Sequence, residues 1–435
     1  MRKIINIAML AAVVAGAAVS AQAADITVNM YGASAQRDYW HSLGETFMTT
    51  AVADGGMGCA TAHRAQLDSN FRVVKGNNCE YAGKTDPLQT EYDDIYITYG
   101  SVASLEGVRA AKDVAPLDAS LNTGCAVNER LIVDVDNCTL TSPWATVGSC
   151  TGSKVCKDIQ LGTSDVEGQS FTQKSKGAKF GHAGGTVLDI VLTPEDTTGL
   201  DNYKPTVVPF AFYANKASFA TTAPGIDNLT RTQILNLFSG KIKNWNKLVG
   251  LTSAGTPVAF NSSGVQLCFR HAGSGTHASI DTAVMRGDMS LKTDQAVAPA
   301  GMGASAYFYQ SSSSTKTGEA GMQQCIETNA GRTGFTAIGY MDADAASSSM
   351  TQLKYQGSIP GILGDAASSA QIKNGSYDFW SQQNVYVQPD DNTDFVVDMM
   401  TFAAANIPAD KVGVWVPSSS LQVKKDKDSS TPAMK

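Results

Sequence analysis

The chain has 435 residues, of which 17% are charged, with 33 Lys and Arg against 40 Asp and Glu and a formal net charge of -7. That length is too great for one ordinary domain and is comfortable for two. The acidic balance argues against nucleic acid as a partner, because nucleic-acid binding needs clustered positive charge. An anion would have to be held by local geometry and not by the field of the whole protein.

The first 23 residues have the three parts of a secretory signal peptide. A basic start, Met1–Lys3, precedes an apolar run from Ile4 to Val19, and Ala21 and Ala23 supply the small residues of a cleavage site. The apolar run is shorter than the roughly 20 residues that span a bilayer, which favours cleavage over a membrane anchor. We therefore expect a soluble mature protein in the periplasm or outside the cell.

Eight cysteines in an exported chain indicate a set of disulfides. Their spacing suggests three local pairs and one long-range pair: Cys59–Cys79, Cys125–Cys138, Cys150–Cys156 and Cys268–Cys325. A metal or haem site is the alternative, but the sequence contains no C-x-x-C pair. We therefore expect no metal ligation by these residues.

Predicted strands and helices alternate along the first half of the chain and are interrupted twice. The residue pattern predicts, in order, a strand over Ile26–Met30, a helix over Ala35–Ala53, an insertion over 54–92 stapled by cysteines, a strand over Ile95–Tyr99 followed by a helix, a second cysteine-rich insertion over 112–157, and a short strand from Ile159. The two insertions interrupt an otherwise regular alternation of strands and helices.

The second half of the chain continues the alternation. It is predicted to contain a strand over Val207–Tyr213, a helix over Thr230–Ser239, a strand over Leu267–Phe269, a helix from His277 to Arg286, strands over Gly334–Tyr340 and Asn384–Val387, and a helix over Thr393–Ala405. The polar tail from Lys424 is predicted to be disordered. Strands that alternate with helices predict an α/β fold with largely parallel sheets.

Four of the predicted strands are followed by small, polar, glycine-rich turns. These turns lie at residues 32–34, 100–104, 162–165 and 273–276. In parallel sheets, ligands bind beyond the carboxyl ends of the strands. Small side chains let the backbone approach a ligand, and the unpaired amides at the start of the following helix favour negative charge. The turns together predict a binding site for an anion.

The segment from Arg270 to Thr276 is the strongest single motif. Arg270 can hold two oxygens of an anion through paired N–H donors. Ser274 and Thr276 offer hydroxyls, and the amides of Gly275 and Thr276 point out of the predicted helix start. On this motif alone, a solvent-facing turn with Arg270 in a surface salt bridge is an equally good interpretation.

A family resemblance emerges when this motif is taken with its surroundings. Residues Asn228–Trp245, which read N-L-T-R-T-Q-I-L-N-L-F-S-G-K-I-K-N-W, resemble the helix-and-turn signature of the phosphate-binding components of phosphate ABC transporters. Further motifs of that family are similar to the segments Gly162–Asp165, Arg270–Thr276, Gly334–Tyr340 and Asn374–Tyr377. These segments follow in the family's order and cover most of the chain outside the two insertions.

The resemblance implies the fold of a type II periplasmic binding protein, in which two α/β lobes joined by two crossings enclose the ligand in a cleft. Carried over to this chain, the first lobe is 24–205 plus 376–435 and the second is 206–375. The resemblance further implies a monomer without enzyme activity or cofactor. Such a protein captures inorganic phosphate, or a similar tetrahedral oxyanion, for the membrane permease of an ABC transporter.

The same resemblance implies a set of ligand-binding residues: Ser34, Ala35, Ser104, Asp165, Arg270, Ser274, Gly275 and Thr276. Ser101 is a weaker alternative to Ser104 as the hydroxyl donor of the second turn. Asp165 has the sharpest implied role, because a carboxylate only accepts hydrogen bonds. It can accept the proton of hydrogen phosphate and repels sulfate, which carries no proton at neutral pH. Outside the family context, a helix N-cap is the favoured interpretation of Asp165.

One departure from the family pattern leaves other ligands and functions open. Ala272 stands where the family has an Asp that steadies the arginine, so arsenate, molybdate or a phosphate ester stay open as ligands. A secreted phosphatase on the same scaffold is a second function, although it would need a nucleophile or metal set that the sequence does not offer. A surface or matrix protein that keeps the fold and has lost transport is a third.

Overall fold

The structure is a computed structural model that describes residues 25–81, 92–117, 119–141, 148–172, 192–252, 255–288, 291, 307–308 and 318–435. The predicted signal peptide over residues 1–23 lies outside the described residues. No helix in the described part of the chain combines the length and the apolar character that a bilayer crossing requires.

The described residues form the following strands, in chain order: β1 (Ile26–Gly32), β2 (Thr61–Gln66), β3 (Phe71–Cys79), β4 (Tyr92–Ser101), β5 (Glu129–Val133), β6 (Thr139–Thr141), β7 (Gly148–Thr151), β8 (Lys154–Asp158), β9 (Leu161–Ser164), β10 (Asp201–Tyr203), β11 (Thr206–Asn215), β12 (Asn228–Leu229), β13 (Val249–Leu251), β14 (Pro257–Ala259), β15 (Gly264–Phe269), β16 (Tyr307–Phe308), β17 (Phe335–Asp342), β18 (Met350–Tyr355), β19 (Trp380–Gln382), β20 (Asn384–Val387), β21 (Val416–Pro417), β22 (Val423–Lys424) and β23 (Ala433–Met434). The α-helices are α1 (Arg37–Thr49), α2 (Ser104–Ala111), α3 (Lys216–Thr222), α4 (Arg231–Phe238), α5 (Gly275–Ser279), α6 (Gly318–Glu327), α7 (Ala370–Lys373) and α8 (Asp394–Ala405).

The first large sheet has nine strands in the order β10-β20-β9-β1-β4-β3-β2-β7-β6. Its central strand β1 runs parallel to both β4 and β9, while β20 is antiparallel to β9. The last five residues of β1 are buried regardless of which face they point to, as expected of a strand that is covered on both faces. Helix α2 packs against β1 and β9, and α1 packs against β3.

The second large sheet has eight strands, with the path β12-β18-β11-β17-β15-β16 and with β19 and β21 also pairing with β11. Strand β11 is buried along its whole length, and β15 is parallel to β17. Helix α4 begins with a capping box, in which the Thr230 hydroxyl accepts from the Gln233 amide and the Gln233 side chain accepts from the Thr230 amide. Its apolar side chains, such as Ile234 and Phe238, are buried.

The chain passes between the two sheets at two neighbouring crossings, from β10 to β11 and from β19 back to β20. The segment after α8 then reaches the second sheet again, where β21 pairs with β11. We call the nine-stranded sheet with its packed helices the first lobe, and the eight-stranded sheet with its helices the second lobe. The boundaries at residues 205 and 375 stay a prediction.

The disulfides agree with the sequence prediction in two pairs and correct it in the other two. Cys59–Cys79 and Cys268–Cys325 are bonded as predicted. Cys125 is bonded to Cys156, so the predicted pairs Cys125–Cys138 and Cys150–Cys156 are wrong. Strands β5 and β8 pair antiparallel. This pairing returns the chain to the segment that follows Cys125, and spacing along the sequence does not reveal it.

The prediction of a disordered tail from Lys424 is also wrong. Strands β22 and β23 pair antiparallel, and the residues between them form the loop that joins the two strands. The Asp428 carboxylate accepts from the Glu167 amide at 2.8 Å and from the Ser170 hydroxyl, both in the segment after β9 of the first lobe. Arg286, which follows α5 in the second lobe, donates to the Thr431 hydroxyl at 3.0 Å. We call residues 423–434 the C-terminal strap, because they are bonded to both lobes.

Candidate functional site

The four predicted turns meet at one place between the lobes. Three come from the first lobe, at the end of β1, before α2 and after β9, and the fourth joins β15 to α5 in the second lobe. All eight predicted ligand-binding residues lie in these turns or at the helix starts, with Ser34 half-buried and the other seven buried. Ser101, the alternative donor, is also buried, and none of the residues that the structure describes forms a hydrogen bond with its hydroxyl.

Two glycines allow the turns of the first lobe to approach one another. A Cβ on Gly32 would lie 2.1 Å from the Thr163 carbonyl oxygen, and one on Gly107 would lie 2.1 Å from the same oxygen. Gly32 also has a φ of +138°, which residues with a side chain rarely adopt. The close contact of β1, β9 and α2 that positions the site therefore depends on these two residues having no side chain.

Arg270 is the central charged group of the site and is only 1% exposed. Its Nη2 donates to the Ser34 hydroxyl at 3.0 Å and its Nη1 to the Thr276 hydroxyl at 3.3 Å. Among the described residues, its Nε has no hydrogen-bond partner and no carboxylate forms an ion pair with its guanidinium. A buried charge with only neutral partners is costly, so this guanidinium is prepared to receive an anion.

Ser104, Asp165 and Gly275 form a second group of contacts. The Ser104 hydroxyl donates to the Asp165 carboxylate at 3.0 Å and accepts from the amides of Gly275 and Asp165 at 3.1 and 3.3 Å. Gly275 belongs to the second lobe, so Ser104 joins the lobes directly. The Leu105 amide adds a further link by donating to the Gly273 carbonyl at 3.0 Å. The site is therefore in a closed arrangement.

Of the eight predicted ligand-binding residues, Ser274 and Ala35 take positions that differ from those of the other six. The Ser274 hydroxyl accepts from the His277 amide at 3.3 Å and so caps α5. Ala35 is 7% exposed and lines a neighbouring cleft together with Ser34. Neither side chain touches Arg270 or Asp165 through a hydrogen bond in the described part of the chain, whereas the other six residues are linked in two bonded groups.

Gln36 belongs to the site and was missed by the sequence analysis. Its side-chain amide donates to Asp165 at 3.2 Å, and its carbonyl oxygen accepts from Gln383 at 2.9 Å. Gln383 in turn accepts from the Thr206 hydroxyl at 3.0 Å. Because Thr206 and Gln383 lie at the two crossings between the lobes, a row of buried amides connects Asp165 to the joint about which the lobes would move.

The environment of Asp165 changes its acidity. Burial raises the pKa of Asp165 to about 6, although hydrogen bonds from Ser104 and Gln36 and the charge of Arg270 act in the opposite direction. The folded protein therefore binds this proton more tightly than the unfolded chain, in which the pKa is near 3.8. The corresponding stabilisation is present in full below that ordinary value and is lost as the pH rises through about 6.

We expect Asp165→Asn to become more stable than the native protein as the pH rises from about 4 to about 7. Asn carries no charge to bury, so the advantage over Asp165 should grow by on the order of 3 kcal/mol across this range. Urea unfolding of both proteins without ligand, at a series of pH values, measures the difference. If the free energy of unfolding changed with pH in the same way in both proteins, the raised pKa of Asp165 would be contradicted.

The contact between the lobes also predicts the effect of Gly275→Ala. A Cβ at this position would lie 2.2 Å from the Ser104 hydroxyl oxygen and 2.6 Å from an Asp165 carboxylate oxygen. The lobes would have to separate, which costs a hydrogen bond and adds strain, and we expect ligand affinity to fall by about tenfold or more. Calorimetry measures the affinity, while an unchanged circular dichroism spectrum distinguishes this loss from unfolding. Native affinity in the variant would show that the closed contact is not needed.

The site opens onto a cleft of about 600 Å³ between the lobes. The described residues that line it are Ser34, Ala35, Arg37, Asp38, Ser69, Asn70, Arg72, Ser101, Val102, Gly318, Glu319, Ala320, Gln323, Asp342, Asp344, Ala345, Ala346 and Lys411. The lining contains both basic and acidic side chains. In the described part of the chain, no group of three or more His, Cys, Asp or Glu side chains is arranged to hold a metal ion.

Comparison with known proteins identifies a family domain in the chain. Residues 195–405 match the family model of a PBP superfamily domain. No curated protein sequence matches the chain. The mixed α/β architecture, with two large sheets around a cleft, confirms the predicted α/β class.

Two solved structures align with most of the chain at low similarity. A protein from Clostridium perfringens assigned as a phosphate ABC transporter substrate-binding protein, with phosphate bound, is 13% identical, with 87% of this chain and 93% of that chain covered and a TM-score of 0.45. An ABC-type phosphate transport receptor from Vibrio cholerae is 12% identical, with 86% of this chain and 93% of that chain covered and a TM-score of 0.42.

Proposed function

From a chain whose residues 195–405 carry a PBP superfamily domain, we propose an exported solute-binding protein that captures inorganic phosphate or a related tetrahedral oxyanion between its lobes. The observation that carries the proposal is Arg270, whose guanidinium is 1% exposed and, within the described residues, bonded to just the hydroxyls of Ser34 and Thr276. Those hydroxyls come from opposite lobes, so an anion at Arg270 draws the lobes together.

Asp165 supports phosphate over sulfate as the anion. The carboxylate is buried within the same group of contacts, and it can accept a hydrogen bond from a ligand that still carries a proton. Hydrogen phosphate carries such a proton at neutral pH, whereas sulfate would place an unprotonated oxygen beside a buried carboxylate. Sulfate is therefore excluded by charge repulsion and not by its size.

Binding without chemical turnover is the expected mode of action. In the site, the Ser274 hydroxyl is bonded to a backbone amide and not to an imidazole, so it lacks the base that activates a serine nucleophile. We expect the permease of an ABC transporter to be the membrane partner, and the periplasm to be the compartment in which the protein works. A phosphatase on this scaffold would instead release phosphate from an ester.

The test is calorimetric titration of the purified protein at neutral pH with phosphate and then with sulfate, after bound anion has been removed. We expect one-to-one binding of phosphate and no heat with sulfate. In Asp165→Asn, discrimination between the two anions should decrease because the repelling charge is gone. Absence of heat with both anions would overturn the proposal and favour a surface or matrix role for the fold, and turnover of a phosphate ester would favour the phosphatase.

A further inference from the structure

The cleft beside the site is much larger than the anion that the site would hold. Its volume is about 600 Å³, which is within the range of pockets that enclose organic ligands. A single phosphate ion fills only a small fraction of such a space. The chemistry of the cleft lining therefore bears on what else the ligand carries.

Arg270 lies next to this cleft, behind two of its lining residues. Its Nη2 lies 3.0 Å from the hydroxyl of Ser34, a lining residue. A Cβ placed on Gly318, which also lines the cleft, would lie 3.8 Å from the same nitrogen. A phosphoryl group held by Arg270 therefore has open space on one side, into which an organic substituent can extend.

The three basic side chains of the lining are already engaged by carboxylates. Lys411 is paired with Asp344 at 2.6 Å, and Arg37 is paired with Asp38 at 2.6 Å. Arg72 lies 3.8 Å from the same Asp38 carboxylate. Arg37 and Arg72 share the single Asp38 carboxylate, so one positive charge remains on this side of the lining.

Two carboxylates of the lining have no such partner. Asp342 is 3% exposed, and Glu319 is partly buried; neither side chain forms an ion pair or a hydrogen bond with the described residues. The pKa of Asp342 is raised well above its usual range by burial and by the neighbouring Glu319 carboxylate. A buried carboxylate without a cation or donors is unfavourable, so this part of the cleft is suited to a positively charged group.

Arg270 and Asp342 lie close together in the fold. Arg270 follows β15 and Asp342 ends β17, and these strands are parallel neighbours in the second sheet. Neighbouring strands lie roughly 5 Å apart, and their carboxyl ends meet at one edge of the sheet. The charge of Arg270 acts on Asp342, yet no hydrogen bond joins the two side chains. A short chain of atoms spans the gap between them.

We propose that the ligand is a phosphate monoester with a protonated amine, its phosphoryl group on Arg270 and Ser34 and its ammonium group between Asp342 and Glu319. The buried hydroxyl of Ser101 lines the same cleft, has no hydrogen-bond partner in the described part of the chain and is available to the substituent.

This inference rests on the proposed function, because it keeps the anion at Arg270. A phosphate monoester loses its last phosphoryl proton at a pKa of about 6, so it has to be bound in the singly protonated form that can donate to Asp165. Among the related oxyanions that the proposed function allows, the inference selects a phosphate ester that also carries a positive charge.

The test compares three ligands by calorimetry on the purified protein: 2-aminoethyl phosphate, ethyl phosphate and inorganic phosphate. The first two differ in the amine, so their affinity ratio isolates its contribution. We expect 2-aminoethyl phosphate to bind about tenfold or more tightly than ethyl phosphate, since a charge pair shielded from water contributes more than an exposed one. The ratio should fall toward one in Asp342→Asn and in Glu319→Gln.

A matched control is Asp410→Asn, which removes a carboxylate bonded to the Ser42 hydroxyl outside the cleft lining and should leave the ratio unchanged. Binding of inorganic phosphate with equal affinities for the two esters would overturn this inference alone. Absence of heat with all three ligands would overturn the proposed function as well. The ratio of the affinities for 2-aminoethyl phosphate and ethyl phosphate in the native protein tests the inference even if a cleft variant does not fold.

Discussion

Replacing Arg270 by Ala is expected to weaken phosphate binding by about a hundredfold or more, because it removes the central charged donor of the proposed anion site. The thermal stability of the ligand-free protein should not fall, since the variant also loses a buried charge whose only side-chain partners are the hydroxyls of Ser34 and Thr276. Calorimetric titration with phosphate and a thermal unfolding scan measure the two effects.

Two further variants separate the charge from the geometry. Arg270→Lys keeps a positive charge but loses the planar pair of donors, so it should recover only part of the affinity. Arg332→Ala removes an arginine that lies over the Phe335 ring and does not line the cleft, and it should bind phosphate normally. Retained affinity in Arg270→Ala would place the anion elsewhere and remove the basis of the proposed site.

Removal of the Cys268–Cys325 disulfide is expected to reduce both stability and affinity. The bond closes a loop of 57 residues, for which the loss of loop-closure entropy corresponds to about 4 kcal/mol. Cys268 lies two residues before Arg270, and Cys325 lies on α6, whose first residues line the cleft. A double Cys→Ser variant should therefore unfold at lower temperature and bind phosphate more weakly.

The Cys125–Cys156 disulfide provides the matched comparison. It closes a loop of 31 residues in the second insertion, and neither cysteine lines the cleft. The chain-entropy model assigns it a similar contribution to stability, so its removal should lower the unfolding temperature while phosphate affinity is retained. Equal losses of affinity in the two double variants would contradict a specific role for the Cys268–Cys325 bond in supporting Arg270.

Much of the site could be predicted from the sequence because its parts are local. Ser34, Asp165 and Arg270 each follow a recognisable strand, and the residues around them are small enough for close approach. Parallel strands bring such turns to one edge of a sheet. The assembly of distant turns then follows from the α/β order without any knowledge of individual contacts.

The features that were missed depend on packing between distant parts of the chain. Gln36 is separated from Gln383 by 347 residues, and a glutamine at a helix start has no local signature of burial. The pairing of β5 with β8 likewise brings Cys156 to Cys125 across a turn that spacing does not reveal. The polar composition of the strap suggested disorder, whereas specific hydrogen bonds to Asp428 hold it in place.

The C-terminal strap has a consequence for exchange of ligand. The two crossings of the main chain are covalent and survive any movement of the lobes, but the bonds of Asp428 to the first lobe and of Thr431 to the second are not covalent. A wide opening would have to stretch or release one of them, so the strap adds a noncovalent tie between the lobes that the two crossings do not provide.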